Sequence, residues 1–248
     1  MIILVKRVGL IGCGAIGTVL AEAIERKIVI CDELVVLDTD TAKALKLKEK
    51  LKFPVKIVSN VDQLLAAKLN VIVEAAGQQA VRDYYEKLVA SDAQKIIMST
   101  GALLLMNVSD AKVNFPAGAI GGLDALESAA NAGIDEVTLT SRKNPKALGK
   151  TNTEELVIYE GTAKEATRQF PREMNVAATL ALTIKPAQVK VKVVSDPKVT
   201  RNTHEIHAKW LLGEMSLQFA NDPHPDNPHT SALAAWSAIK LLQRLLEK

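Results

Sequence analysis

Along the first hundred positions the apolar residues fall in short runs separated by stretches with helical spacing. The runs lead through Val8 to Ile11, Leu34-Val35-Val36-Leu37, Val55 to Val58, Val71-Ile72-Val73 and Ile96-Ile97-Met98; the helical patterns between them cover Thr18 to Glu25, Val61 to Ala67 and Val81 to Val89. Strands alternating with helices predict βαβ crossovers and a parallel sheet. After Gly101 the pattern changes. Ala125 to Ala132 is an alanine-rich helix candidate, and Val137 to Arg142, Val189 to Val194 and Met215 to Phe219 alternate apolar and polar residues as strands do. Helical patterns at roughly Ala163 to Phe170 and Val176 to Leu182 interrupt those strands. This order predicts a second, helix-covered sheet that is mixed or antiparallel. The last segment, Thr230 to Glu247, carries leucines and alanines at helical spacing with no glycine or proline, and is expected to return to the first domain.

The chemistry of the first half is organised by Gly12-Cys13-Gly14-Ala15-Ile16-Gly17, which sits between the first strand and the first helix. This is a dinucleotide-binding fingerprint: Gly12 for the turn, Gly14 for close approach of backbone to a pyrophosphate, Gly17 for close packing of helix on strand. Phosphates would sit at the helix N-terminus, where free N–H groups and the dipole favour anions. Asp38 follows the second apolar run, where a carboxylate can bind a ribose hydroxyl pair, which favours NAD over NADP; Asp40 could substitute for it or add to it. Ligands of parallel sheets bind beyond the carboxyl ends of the strands. The strand ends Glu74-Ala75-Ala76-Gly77-Gln78 and Ser99-Thr100-Gly101-Ala102 are therefore also candidates for the cofactor surface. Pro116 to Asp124, rich in small residues, looks like a second backbone cradle before a helix. The expected architecture is a Rossmann-type domain over 1–106, an α+β domain over 107–229, and a C-terminal helix over 230–248.

The 248 residues, 48% hydrophobic and 24% charged, are an ordinary globular composition. The formal charge of +3 comes from lysines scattered among acidic residues, and aromatics make up only 4%, so neither nucleic acid nor a membrane surface is expected as partner. No apolar run approaches the roughly twenty residues that span a bilayer. Met1 to Val5 is too short for a signal peptide and leads into the first strand, so a cytoplasmic protein is expected. Cys13 and Cys31 have no C-x-x-C spacing and no histidine nearby, and no histidine pair has metal-binding spacing; a reducing compartment and no metal site are expected.

Several segments together resemble the L-aspartate dehydrogenase family. They are the glycine turn, Gly118 to Asp124, Thr140-Ser141-Arg142-Lys143-Asn144-Pro145, Phe170 to Ala178, Asn202-Thr203-His204-Glu205-Ile206 and Pro225 to Ser231, in this order from end to end. The resemblance implies NAD(P)-dependent oxidation of L-aspartate to iminoaspartate and oxaloacetate, or the reverse reductive amination, feeding nicotinamide cofactor synthesis in a homodimer. By motif position it implies His204 as the active-site residue and Ala119 and Asn175 as cofactor-binding. The interval from Gly101 to Gly118 is shorter than in the family, which commonly has a helix there, and Ala117 stands where a serine is usual. Another two-domain NAD(P) oxidoreductase, similar to dihydrodipicolinate reductase or a sugar dehydrogenase, or a non-catalytic NAD-binding protein, would share the nucleotide half.

Oxidising an amino acid to an imine removes a proton from nitrogen and a hydride from the adjoining carbon, so a base is needed near neutral pH, and histidine suits that task. Of the four histidines, His224 and His229 lie in a proline-rich stretch. His204 and His207 are three apart and point to opposite faces of an extended strand, so at most one of them serves a site. Lys143 is the other candidate base. For the carboxylates of a dicarboxylic substrate the candidates are Arg142, Lys143 and backbone N–H groups around Ile120, Gly121 and Gly122. Asn175 opens a helix, where it could cap or bind the cofactor.

Overall fold

The computed structural model describes residues 5–108, 110–224 and 227–247. Met1 to Leu4, expected to lead into the first strand, lie outside the described residues, as do Pro225 and Asp226 and the side chain of His229. The chain divides into two compact units: one runs up to Pro116 and resumes at Ala235, and the other spans Ala117–Ala234.

The first unit alternates strands and helices as its apolar runs demand. In order they are β1 (Arg7–Ile11), α1 (Ala15–Glu25), β2 (Glu33–Leu37), α2 (Thr41–Lys50), β3 (Val55–Ile57), α3 (Val61–Leu65), β4 (Val71–Glu74), α4 (Gln78–Ala90), β5 (Gln94–Ile97), α5 (Thr100–Met106) and β6 (Val113–Asn114). The six strands form one parallel sheet in the order β3-β2-β1-β4-β5-β6. Leu34 to Leu37 and Val71 to Val73 are all buried, which is why these strands read as unbroken apolar runs. The order reverses between β1 and β4, and the crevice at such a switch point is where ligands of this architecture bind.

Two expectations change here. Residues 100–102, read as a strand-end loop, begin α5, so the short interval after Gly101 still holds a helix. The boundary expected after 106 falls inside the first unit, because β6 pairs with β5 through Lys95 and Ile96 and carries the unit on to Pro116.

The second unit contains α6 (Leu123–Ala132), β7 (Ile134–Lys143), a 3-10 turn (Pro145–Leu148), β8 (Leu156–Thr162), α7 (Ala163–Gln169), α8 (Asn175–Thr183), β9 (Val189–Ser195), β10 (Asn202–Trp210), β11 (Gly213–Asn221), and the short pair β12 (Pro223–His224) and β13 (Asn227–Ser231). Its five-stranded sheet has the order β11-β10-β7-β9-β8. It is mixed: β7 runs parallel to β9, and every other neighbouring pair is antiparallel. α9 (Ala232–Leu246) starts two residues later than its helical spacing suggests, and from Ala235 it belongs to the first unit, where Gln243 Nε2 donates to the Ile28 carbonyl at 2.5 Å. Ala235, Ala238, Ile239 and Leu242 form its buried stripe.

Candidate functional site

In the first unit the three glycines of the turn sit in three different surroundings. Gly12 has φ +100°, and a Cβ there would lie 2.7 Å from the backbone of Ala75 and Ala76, so the loops after β1 and β4 touch at this point. A Cβ on Gly17 would lie 2.0 Å from the Gly12 carbonyl oxygen, so only glycine lets α1 start this close to β1. Gly14 is the opposite case: nothing lies within 4 Å of a Cβ built on it. Open space over Gly14 and the outward N–H groups of the first turn of α1 fit a pyrophosphate.

Asp38, just past β2, is held against this turn. Its Oδ2 accepts the Cys13 N–H at 2.7 Å and its Oδ1 accepts the Asp40 N–H at 2.8 Å. Asp40 is itself committed as the cap of α2, accepting the Ala42 N–H, which leaves Asp38 as the carboxylate beside the glycines. Cys13 is buried, and its thiol is pushed up to about 12 by burial and then by Asp38, which makes it an inert filler of the turn.

Glu74, the last residue of β4, opens one of the two candidate strand ends, and its side chain ties that strand end to the other. It is fully buried, and its Oε1 accepts from the N–H groups of Ala76 and Gly77 and from Ser99 Oγ, while Oε2 accepts the Ser99 N–H. One carboxylate thus ties the loop after β4 to the end of β5, and through it positions Ala75, Ala76, Gln78, Thr100 and Gly101. Burial holds the Glu74 carboxyl above the usual carboxylate range, against these hydrogen bonds, which pull it down. A carboxylate closing an otherwise apolar strand was the signal available for this role.

In the second unit the site grows out of the core pattern of the sheet. On one face of the sheet the buried positions are Val137, Leu139, Ser141 and Lys143 on β7, Ala208, Ile206, His204 and Asn202 on β10, and Val189, Val191, Val193 and Ser195 on β9. The register sets Val137 opposite Ala208 and Val189, Leu139 opposite Ile206 and Val191, and Ser141 opposite His204 and Val193. Three apolar stripes therefore turn polar at the same end of the same face. There, Ser141 Oγ and His204 Nδ1 are 2.9 Å apart.

Lys143 and His204 are both almost wholly buried, at 2% and 3% exposure. Burial pushes the Lys143 ammonium below its ordinary range, with Glu173 acting against it. His204 is pushed down to about 3, first by burial and then by the Lys143 charge, so its ring is neutral at any physiological pH. His207 lies on the exposed side of β10, where its Nδ1 meets Ser216 Oγ.

Arg142 is not brought to this cluster. It alternates with Ser141 and Lys143, and its guanidinium is held by Glu155 at 2.6 Å, Glu205 at 3.4 Å and Asp196 at 3.6 Å. Three carboxylates already surround the cation expected to hold a substrate carboxylate, so Arg142 ties β7 to its neighbours instead. The 117–122 loop lies along β11: Asn221 Nδ2 donates to the Ala119 carbonyl at 2.9 Å, and Cβ atoms on Gly121 and Gly122 would meet Phe219 at 3.3 Å and Leu217 at 2.9 Å. Ala119 and Ile120 are buried, and the loop delivers Gly121 and Gly122 to the start of α6. Asn175 is the first residue of α8; the cap position is Met174. Among the described residues no group of three His, Cys, Asp or Glu is placed to hold a metal ion, and no helix is long and apolar enough to cross a membrane.

Comparison with known proteins matches residues 124–245 to the family model described as aspartate dehydrogenase, C-terminal, and residues 12–112 to the model described as homoserine dehydrogenase, NAD binding domain. The chain is 40% identical to an L-aspartate dehydrogenase of Archaeoglobus fulgidus, covering 97% of this chain and 98% of that one. It is 37% identical to an L-aspartate dehydrogenase of Nitrosopumilus maritimus, covering 96% of both chains. Among solved structures, an aspartate dehydrogenase of Thermotoga maritima is similar with a TM-score of 0.76 at 28% identity, covering 97% of this chain and 96% of that one. A myo-inositol dehydrogenase of Corynebacterium glutamicum, at 14% identity, TM-score 0.58 and coverage of 99% and 89%, shares the fold.

Proposed function

Because this chain belongs to the L-aspartate dehydrogenase family, we propose that it oxidises L-aspartate to iminoaspartate, which water converts to oxaloacetate and ammonia, and that it runs the reverse amination. The observation that carries this reading is a neutral histidine, His204, buried beside a lysine at the polar end of an apolar sheet face. NAD(P), when bound, supplies the hydride acceptor. The residues of the first unit that fit it are Gly12, Gly14, Ala15, Ile16 and Gly17 at the phosphates and Asp38 at the ribose, with Ala75, Ala76, Gln78, Thr100 and Gly101 as further contacts; the family's motif positions add Ala119 and Asn175 as candidates. The Asp38 carboxylate repels a 2′-phosphate, so NAD is the preferred form.

His204 takes the proton that leaves the substrate ammonium and returns one when water attacks the imine. A histidine pushed down to about 3 is a weak base. L-aspartate corrects this by its own charge, since two carboxylates brought into a buried site favour protonation of both His204 and Lys143. Lys143, with the Ile120 and Gly121 N–H groups, is the partner for those carboxylates; Arg142 is engaged elsewhere. The same reading makes the protein a cytoplasmic homodimer whose product enters nicotinamide cofactor synthesis.

The test is the initial rate of nicotinamide reduction with L-aspartate, D-aspartate and other L-amino acids, using NAD and NADP separately. Turnover with L-aspartate, faster with NAD, and a His204→Ala variant about a hundredfold slower with unchanged NAD affinity are expected. Tight NAD binding with no amino acid oxidised would refute the enzyme reading. A fully active His204→Ala alongside an inactive Lys143→Ala would move the base to Lys143.

A further inference from the structure

The buried pair formed by Ser141 and His204 is not explained by packing, because a valine or alanine opposite the histidine would continue the stripe begun by Leu139 and Ile206. We propose that Ser141 is a positioning residue for the reaction: its Oγ accepts the Nδ1–H of His204 and so holds the neutral ring in the tautomer whose Nε2 carries the lone pair. The proposal rests on the reading of His204 as the base.

The geometry supplies the pairing, and the base role of Nε2 sets which of the two atoms donates. Ser141 and His204 are directly opposed in the antiparallel ladder of β7 and β10, where side chains of one face stand closest, and Oγ and Nδ1 are 2.9 Å apart. Both residues are nearly inaccessible, at 2% and 3% exposure, so neither side chain has bulk water as a substitute partner. With Nδ1 engaged inside the sheet, Nε2 is the nitrogen left to meet a ligand. A neutral imidazole carries one N–H and one lone pair, and which nitrogen holds the proton follows from the bond the other ring nitrogen makes. A serine that accepts from Nδ1 makes Nε2 a base; a serine that donates to Nδ1 would place the proton on Nε2 and abolish that role.

The proton balance is simple. The substrate nitrogen loses H⁺ to Nε2, one N–H bond breaking and one forming, while Nδ1–H stays on the ring and Ser141 keeps its own hydroxyl proton. The Nδ1–H···Oγ bond then becomes charge-assisted and stabilises the imidazolium just when it forms. In the reverse step Nε2 gives the proton back and the ring returns to the same tautomer.

The direct test reads the tautomer itself: two-bond ¹⁵N–¹H correlation spectra of the protein labelled at histidine, with the His204 signals assigned by their loss in His204→Gln. A His204 ring protonated at Nδ1 is expected; a ring protonated at Nε2 would overturn the proposal. Ser141→Ala should mix the two tautomers and lower kcat about tenfold, with the KM for NAD unchanged, and Ser141→Thr, which keeps the hydroxyl, should return kcat to within about threefold of wild type. A role in packing alone would leave the tautomer unmoved and would not be rescued by threonine, so wild-type kcat in a folded Ser141→Ala overturns the proposal as well. Normal turnover by His204→Gln would instead remove the premise that His204 is the base, and the proposal falls with it, whereas an Nε2-protonated ring in an enzyme that needs His204 refutes the positioning role alone.

Discussion

Replacing His204 by glutamine should change how the stability of this protein depends on pH, and the size of the change follows from burial. His204 is pushed from 6.5 to about 3 in the folded chain by burial and by the Lys143 charge. Between those values the unfolded chain binds a proton at this position and the folded chain does not. Stability therefore rises with pH across this window and is lost as pH falls from about 6.5 toward 3, at about 1.4 kcal/mol per pH unit for one group. Between about pH 6 and about pH 4.5 the wild type should lose about 2 kcal/mol through His204 alone. Glutamine does not titrate, so His204→Gln lacks this loss, although it starts from a lower plateau at neutral pH because the bond to Ser141, worth about 1 kcal/mol, is weakened. The assay is urea unfolding of both proteins at the two pH values, comparing midpoints at constant slope. Carboxylates titrate alike in both, so the difference between the two pH dependences isolates the histidine. The stability difference should shift by about 2 kcal/mol in the variant's favour at the acid end, which closes the starting gap of about 1 kcal/mol and reverses the order of the two proteins. Parallel curves would refute the argument, since they would mean that the ring is not held in a neutral, desolvated state.

Three further substitutions test the rest of the site. Gly17→Ala gains about 1 kcal/mol of helix propensity, but its Cβ meets the Gly12 carbonyl oxygen at 2.0 Å, a backbone atom that cannot swing aside. Overpacking of about 1–3 kcal/mol or more wins, and both a lower unfolding midpoint and at least tenfold weaker NAD binding by calorimetry are expected. Glu74→Gln replaces one of two acceptor oxygens by a donor that faces the N–H groups of Ala76 and Gly77 or of Ser99, so about 1.5–3 kcal/mol of stability should be lost in denaturant unfolding. Arg142→Ala should leave the KM for L-aspartate within about twofold, because the guanidinium is already held by Glu155, Glu205 and Asp196; a tenfold rise would restore it as a substrate ligand.

What could be read from the chain, and what could not, divides along the distance over which each decision is made. The glycine turn and Asp38 are local, because Gly12, Gly14 and Gly17 are selected by backbone that lies within one strand–turn–helix, and the parallel strands announce themselves since both faces of Leu34 to Leu37 and Val71 to Val73 are buried. α2 went unread because Ala44 and Leu47 are its only buried positions, too few to raise a helical period above its lysines. β8 went unread because it is an edge strand with no buried residue to alternate. Arg142 is a different failure: an alternating Val137, Leu139, Ser141, Lys143 already places Arg142 with Thr138 and Thr140 on the other face, so choosing both Arg142 and Lys143 for one site contradicted the strand's own period. Ser141 could not have been paired with His204 from periodicity at all. The two are 63 residues apart, and only the register of β10 on β7 decides whether the histidine faces Ser141 or Leu139. A two-residue slip would keep every apolar residue on the buried face and still separate the pair. The apolar stripes, then, are sufficient to choose which face of the sheet is covered, but the partner of His204 is a property of registration, and it is at that level that sequence changes in the strands or in the turn between β10 and β11 would act on the base without touching it.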